Sequence, residues 1–358
     1  MRLWVSAADG QLRFDDGSCL VRLLAMIHAY PPHHNAGAEW MVHTMLRAAV
    51  ERGHEVDVVL SSRLEEGPYE LDGVRVHPFR SKSDPVRFLD AADALVTHLE
   101  CTRRAAVISR VHGVPLIQVL HNTYDQSKHW VAKGPCTLAV YNSEWMRAEF
   151  EAWLDSVRAP RPDAVVVRPP VIAEEYATRP GDRVTLINLY PPKGAATFWT
   201  LAERMPDVKF LAVIGGYGHQ DVRELPNVEV MPNIPGRRMR DEVYARTKIL
   251  LMPSEYESWG RVGVEAMASG IPVIAHPTPG LQESLGDAGV FVDRNDIDGW
   301  ERAIRRLLTP RAYGTASKRA RARSAELDPA PDLERWVAAA EMVAAQRDRM
   351  RMLARLTR

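Results

Sequence analysis

Apolar and polar residues follow two alternating periods along this chain. Short β-rich apolar runs are separated by longer stretches in which apolar residues recur at helical spacing. In the first half, Arg22–Tyr30 predicts a buried strand, and Ala38–Arg52 predicts a helix with Trp40, Met41, Met45, Leu46 and Val50 on one approximate face. Further strands are expected at Glu55–Ser61, Val74–Phe79, Ala94–His98, Pro115–His121, Thr137–Asn142 and Ala164–Val171, with a helix over Ser143–Leu154. The Pro-rich passage Arg168–Gly181 reads as a linker. A second series then begins: strand Val184–Tyr190, helix Gly194–Arg204, strands Lys209–Ile214 and Val228–Met231, helix Met239–Thr247, strand Ile249–Met252. Trp300–Leu308, Arg311–Glu326 and Leu333–Arg349 close the chain as helices. Strands alternating with helices argue for parallel-sheet α/β architecture, and two such series argue for two domains. Open α/β sheets bind ligands at the carboxyl ends of their strands, so a site is expected there.

Composition narrows the function classes. At 358 residues the chain can build two separate cores. Lys and Arg number 46, as do Asp and Glu, so no global charge points to nucleic acid. Three scattered cysteines, Cys19, Cys101 and Cys136, lack metal-ligand spacing and suit a reducing cytosol. No apolar run reaches transmembrane length, and Met1–Leu20 lacks a signal-peptide core. The expected location is therefore cytoplasmic. Charge becomes uneven only at the end, where Arg347, Arg349, Arg351, Arg355 and Arg358 stand against Asp348. That tail is either a solvated terminal helix or a weak contact for an anionic membrane surface or a polyanion.

The densest chemistry lies between Ile249 and Asp293. A strand runs into the polar turn Pro253–Ser258, a helix starts near Gly260 and stops at Gly270, and the strand Pro272–Ala275 follows. Glu257 in the turn can reach a sugar hydroxyl, while Glu265, eight residues further on and inside the helix, can accept from vicinal ribose hydroxyls. Backbone N–H groups near Trp259, Gly260 and Arg261 lie at the helix N-terminus, which favours a diphosphate through its unpaired donors and its dipole. Gly260 permits close backbone approach. Two Glu at that interval alone say little, and the strand–turn–helix–strand context supplies the weight.

This segment resembles the nucleotide-sugar site of the GT-B glycosyltransferases, specifically retaining family four (glycosyl transferases group 1). The family pattern is a Glu, a Gly three residues on, a second Glu eight after the first, then Ala-Met-Ala, a Gly and Pro-Val-Ile, and every position is filled here. The resemblance implies two Rossmann-like domains facing a central cleft: an acceptor-side domain over residues 21–172 and a nucleotide-sugar domain over 181–330. A helix over 331–358 is expected to return toward the first domain. Residues 1–20 remain open. They are either a hairpin over Leu3–Phe14 turning at Asp9-Gly10, or an extension ahead of a start at Val21.

Further site residues follow from the same resemblance. Lys193, opening Lys193-Gly194 after a strand, would carry the diphosphate charge that grows as the glycosidic bond breaks. The family usually has an Arg five residues earlier, where Asn188 stands; Arg261 is a candidate for that second phosphate cation. In Pro31–Glu39 the family's Gly-Gly-Ala-Glu becomes Ala36-Gly37-Ala38-Glu39, and Gly37 would still let the loop approach a ligand. His121 would lie beside the donor sugar, with Asn122 and Tyr124 toward the acceptor. Gly216, within Gly215–Gly218, would make room for the nucleotide, and Asn233–Pro235 would meet the base. Ser143 reads as a helix cap.

No metal is expected. Asp296-Ile297-Asp298 imitates an Asp-x-Asp, but Asp296 fits a helix cap, and His28, His33 and His34 lack partners at ligand spacing. No cofactor is implied beyond a nucleotide-diphosphate sugar acting as co-substrate, with UDP favoured over GDP. The expected activity is metal-independent transfer of a hexosyl group to a hydroxyl acceptor of unread class. A nucleotide-sugar epimerase of the same fold and a catalytically silent sugar-nucleotide-binding adaptor are the alternatives.

Overall fold

The computed structural model describes residues 3–5, 12–14, 20–34, 36–62, 67–78 and 86–356, with side chains for 20–34, 36–62, 67–78 and 86–347. The chain divides into two compact units. One comprises Met1–His33, Met41–Val167 and Ala330–Arg358; the other comprises His34–Trp40 and Arg168–Pro329.

The first unit contains a short antiparallel pair and a large sheet. Strands β1 (Leu3–Val5) and β2 (Leu12–Phe14) pair with Leu3 opposite Phe14. The expected turn at Asp9-Gly10 lies outside the described residues. The large sheet takes β3 (Arg22–Ile27), β4 (Glu55–Leu60), β5 (Tyr69–Leu71), β6 (Val74–His77), β7 (Ala94–His98), β8 (Leu116–Leu120), β9 (Cys136–Tyr141) and β10 (Asp163–Val166). Their order is β10-β9-β8-β7-β3-β4-β6-β5, parallel throughout except for the β5–β6 hairpin. Leu23, Ala25 and Ile27 pack on one face of β3, and Leu24 and Met26 on the other. Burial on both faces is why that strand reads as one continuous apolar run.

The helix Ala330–Leu356 belongs to this unit. Trp336, Val337, Ala340, Val343 and Ala344 share a buried cluster with Met41, Met45 and Ala49 of the helix Gly37–Glu51. Trp336 Nε1 donates to Met45 O at 2.7 Å, His54 Nε2 lies 2.9 Å from Glu341 Oε1, and Arg347 Nη2 donates to Leu89 O at 2.9 Å. Truncating a buried Trp of this kind costs about 3–5 kcal/mol.

The second unit is an all-parallel sheet of β11 (Arg183–Ile187), β12 (Phe210–Val213), β13 (Val228–Met231), β14 (Thr247–Met252), β15 (Val273–Ala275) and β16 (Val290–Phe291). The order is β13-β12-β11-β14-β15-β16, so the winding reverses between β11 and β14. Ile249 and Leu251 face one buried cluster, Leu250 and Met252 the other.

Three local expectations change. The helix expected over Met239–Thr247 breaks into Met239–Glu242 and a 3₁₀ turn, Tyr244–Arg246, and Thr247 already opens β14. The Thr247 hydroxyl donates to Val243 O at 2.8 Å and meets Thr185 Oγ1 at 2.9 Å, which ties that residue to the sheet. Helices Thr102–His112 and Asp125–Lys133 appear where no element was expected; the first ends on Gly113 at φ 62°. The linker carries a helical turn, Ala173–Tyr176, and its Thr178 N donates to Ser269 Oγ at 2.9 Å.

Candidate active site

In the second unit, the turn after β11 and the loop after β14 lie at the point where strand order reverses, the usual ligand position in open α/β sheets. The 3₁₀ turn Pro191–Lys193 follows β11. Glu255 N donates to Pro192 O at 2.9 Å, joining the two loops. Gly194, at φ 96°, closes the joint: a Cβ there would sit 2.2 Å from Pro253 Cγ. This packing brings Lys193 Nζ within 2.6 Å of Glu257 Oε1, which also accepts from Ser254 Oγ at 2.9 Å. Burial alone would lower the Lys193 pKa; the Glu257 carboxylate and the Tyr217 hydroxyl outweigh it and hold it above the ordinary lysine value.

Gly260 caps the helix Arg261–Ala268 at φ 83°, and an added Cβ would lie 2.4 Å from Leu281 Cδ2. Backbone conformation and packing therefore both require glycine. Trp259 is buried in the apolar cluster with Leu281. Behind the cap, Glu265 is enclosed. Arg261 Nε donates to its Oε1 at 2.7 Å and Tyr244 OH to its Oε2 at 2.5 Å. Arg261 Nη2 donates to Tyr176 OH at 2.8 Å, and Nη1 is buried without a protein acceptor. Burial lowers the Arg261 pKa, but Tyr176 and Glu265 raise it on balance. Burial, reinforced by Glu265, pushes the Tyr244 phenol well above its usual range.

The other expected residues are placed as follows. Gly216 is exposed on the loop after β12. That loop is anchored by Gln220, whose Oε1 accepts from Leu189 N at 2.9 Å and Gly215 N at 2.8 Å, and whose Nε2 donates to Asn188 Oδ1 at 3.0 Å. Tyr217 and Tyr190 from the two loops meet edge to face, 6.0 Å between centroids. Gly37 opens its helix, and an added Cβ would meet no protein atom within 4 Å. Protein packing therefore does not demand glycine at that position.

His121 belongs to the first unit, where its Nε2 lies 3.0 Å from Nδ1 of the buried His98 at the end of β7. Burial pushes the His121 pKa down to about 4, so its ring is neutral at neutral pH. Asn122 Oδ1 accepts from Tyr124 N at 3.2 Å and Ser127 Oγ at 2.7 Å, which ties it to the first turn of the helix Asp125–Lys133. Ser143 Oγ accepts from Met146 N at 3.2 Å and Asp296 Oδ1 from Gly299 N at 2.8 Å, so both residues are helix caps. Among the described residues no cluster of three His, Cys, Asp or Glu suits a metal.

Six participants escaped the sequence reading: Ser254, Tyr217, Gln220, Tyr244, Tyr176 and Arg294. Ser254 had a signal, being three residues before Glu257 in one turn. The rest come from other strand ends, from the linker or, for Tyr244, from the 3₁₀ turn ahead of β14. Arg294, following β16, donates Nη2 to Pro191 O at 2.8 Å and Nη1 to Pro192 O at 3.4 Å, and pairs with Glu255 Oε1 at 2.7 Å.

Comparison with known proteins bears on the family and the fold. Residues 188–325 match the family model described as glycosyl transferases group 1, and residues 35–188 match the model described as glycosyltransferase family 4. A D-inositol 3-phosphate glycosyltransferase of Acidothermus cellulolyticus is 26% identical over 255 residues, 57% of this chain and 56% of that protein. One from Mycobacteroides abscessus is 30% identical over 155 residues, 39% of this chain and 35% of the relative. The chain thus spans about a third to just over half the length of these curated relatives. Among solved structures, Anabaena HepE in complex with UDP-glucose superposes with a TM-score of 0.71 at 16% identity, over 89% of this chain and 98% of that one. No helix among the described residues is long and apolar enough to cross a membrane.

Proposed function

We propose that this chain, which belongs to the glycosyl transferases group 1 and has the two Rossmann-like units of the GT-B fold, moves a sugar from a nucleoside diphosphate donor to a hydroxyl acceptor with retention of anomeric configuration. The observation that carries the reading is the Lys193–Glu257 pair, 2.6 Å apart, at the β11/β14 reversal. Lys193 takes the diphosphate charge as the glycosidic bond breaks, and the first N–H groups of the helix capped by Gly260 take the rest. Glu257 then passes from the ammonium to a sugar hydroxyl. Glu265, at the second position of the family pattern, meets the ribose, with Arg261 and Tyr244 holding its carboxylate in place. A UDP-sugar is the favoured donor over a GDP-sugar, in keeping with the UDP-glucose in complex with the Anabaena neighbour.

Inverting transfer needs a general base opposite the leaving group. His121 is the first-unit residue considered as such a base, and the family resemblance gives it a contact with the donor sugar instead. A neutral ring there can accept from a hydroxyl without adding positive charge to a cationic transition state. Retention then follows if the acceptor attacks from the face the phosphate leaves, with the departing phosphate taking the acceptor's proton. Proton NMR of the first-formed product from an α-linked gluco-configured donor tests this. An α-glycoside is expected, and a β-linked product overturns the assignment. Donor hydrolysis without acceptor separates a working transferase from a silent binding protein.

A further inference from the structure

The family pattern places a second cation at position 188, where this chain has Asn188. Asn188 sits at φ 77°, in the left-handed region that long side chains avoid. Its amide oxygen accepts from Tyr190 N at 3.1 Å and from Gln220 Nε2 at 3.0 Å. It shapes the loop and supplies no charge. Arg261 is committed to Glu265 and Tyr176.

Arg294 remains, with its side chain only 17% exposed. It meets the turn that carries Lys193 through two guanidinium nitrogens. Pro191 and Pro192 have no N–H, so the turn can be held there only through its carbonyls. Both carbonyls already take one backbone donor: Pro191 O from Gly194 N at 2.9 Å, Pro192 O from Glu255 N at 2.9 Å. A planar guanidinium serves both carbonyls and the Glu255 carboxylate from two separate nitrogens, whereas a lysine ammonium would have to reach all three acceptors from one. Arg294 N also donates to His276 Nδ1 at 3.1 Å, which fixes the arginine's own backbone to the end of β15.

Resting on the transferase reading, we propose that Arg294 is a positioning residue that clamps the Pro191–Lys193 turn and so aims the Lys193 ammonium at the donor diphosphate. It acts through Lys193, not on the ligand. Loss of the clamp should therefore matter only while Lys193 is present.

The test is a double-mutant cycle on the full chain, with UDP binding read by titration calorimetry and folding by circular dichroism. Arg294→Ala is expected to weaken UDP about tenfold in the native background and less than about twofold in Lys193→Ala. Arg294→Lys, which keeps the charge but not the fork, is expected to recover less than half of that loss in free-energy terms, and it serves as the second variant if the alanine does not fold. Equal losses in both backgrounds, or full recovery by lysine, overturn the clamp. A ligand-free arm separates this inference from the transferase reading: acylation of lysines followed by peptide mass spectrometry. Removing the clamp should raise labelling at Lys193 several-fold and leave the exposed Lys209 unchanged. If the unmodified chain binds neither UDP nor GDP, the transferase reading fails while labelling still judges the clamp. An unchanged Lys193 rate overturns it.

Discussion

Glu257 and Glu265 are both carboxylates held by one cation and one hydroxyl, yet they are built for different work. Glu257 takes Lys193 from a turn 64 residues away and Ser254 from its own loop, with side-chain exposures of 21% for Lys193 and 14% for Glu257. Glu265 takes Arg261 from one turn earlier on its own helix and Tyr244 from the preceding 3₁₀ turn, with exposures of 10% and 8%. A lysine ammonium is a point charge on a flexible stem and can exchange a carboxylate for a phosphate. A guanidinium tied to Glu265 at one nitrogen and Tyr176 at another cannot turn away without leaving buried groups unpaired. On the proposed function, the comparison separates an exchangeable pair that would serve a ligand from a sealed pair that holds its carboxylate still.

Removing a cation should expose that difference. The largest effect is expected from Arg261→Ala, which strands a buried carboxylate and should cost about 3–5 kcal/mol of stability. Urea unfolding monitored by circular dichroism reads it, and a loss below about 1 kcal/mol would equate the two pairs and end the contrast. Next comes Lys193→Ala. Turnover should fall by roughly one to two decades, because the leaving diphosphate loses a charge-assisted partner, while the partly open pair gives up only about 1 kcal/mol of stability. Steady-state rates within about twofold of the native enzyme, with the fold intact, sink that role. Tyr244→Phe is milder. It removes one donor from Glu265, and about 1.5 kcal/mol of stability should go, with the Arg261 contact retained. A destabilisation equal to that of Arg261→Ala would show that the phenol, not the guanidinium, keeps Glu265 in place. Excess chelator should have the smallest effect, none on turnover, because Lys193 and the helix N-terminus meet the phosphate charge. Activity lost to chelator and restored by magnesium or manganese would require a cation in the exchangeable pair's place.

How far these pairs could be read in advance differs in the same way. The central strands were legible because they are buried on both faces and show as runs such as Ile249–Met252, a property of local burial. Glu257, Gly260 and Glu265 were legible as candidates because turn, helix start and carboxylates lie within nine residues. The caps Ser143 and Asp296 were legible because a cap is satisfied three residues on. By contrast, the helix expected over Met239–Thr247 was misread past Glu242, because apolar spacing cannot register that Thr247 belongs to a strand ladder with β11.

The sequence by itself determined the α/β class, most strand positions and which residues could carry chemistry, since these depend on neighbours a few positions away. Only the tertiary structure decided which of those residues meet. Lys193 reaches Glu257 because β11 lies beside β14, His98 reaches His121 because β7 lies beside β8, and Arg294 reaches Pro191 because the strands of its sheet end on the same side. Strand order is set by packing over the whole sheet. A side chain's partner across a strand end therefore leaves no periodic trace in the chain that carries it.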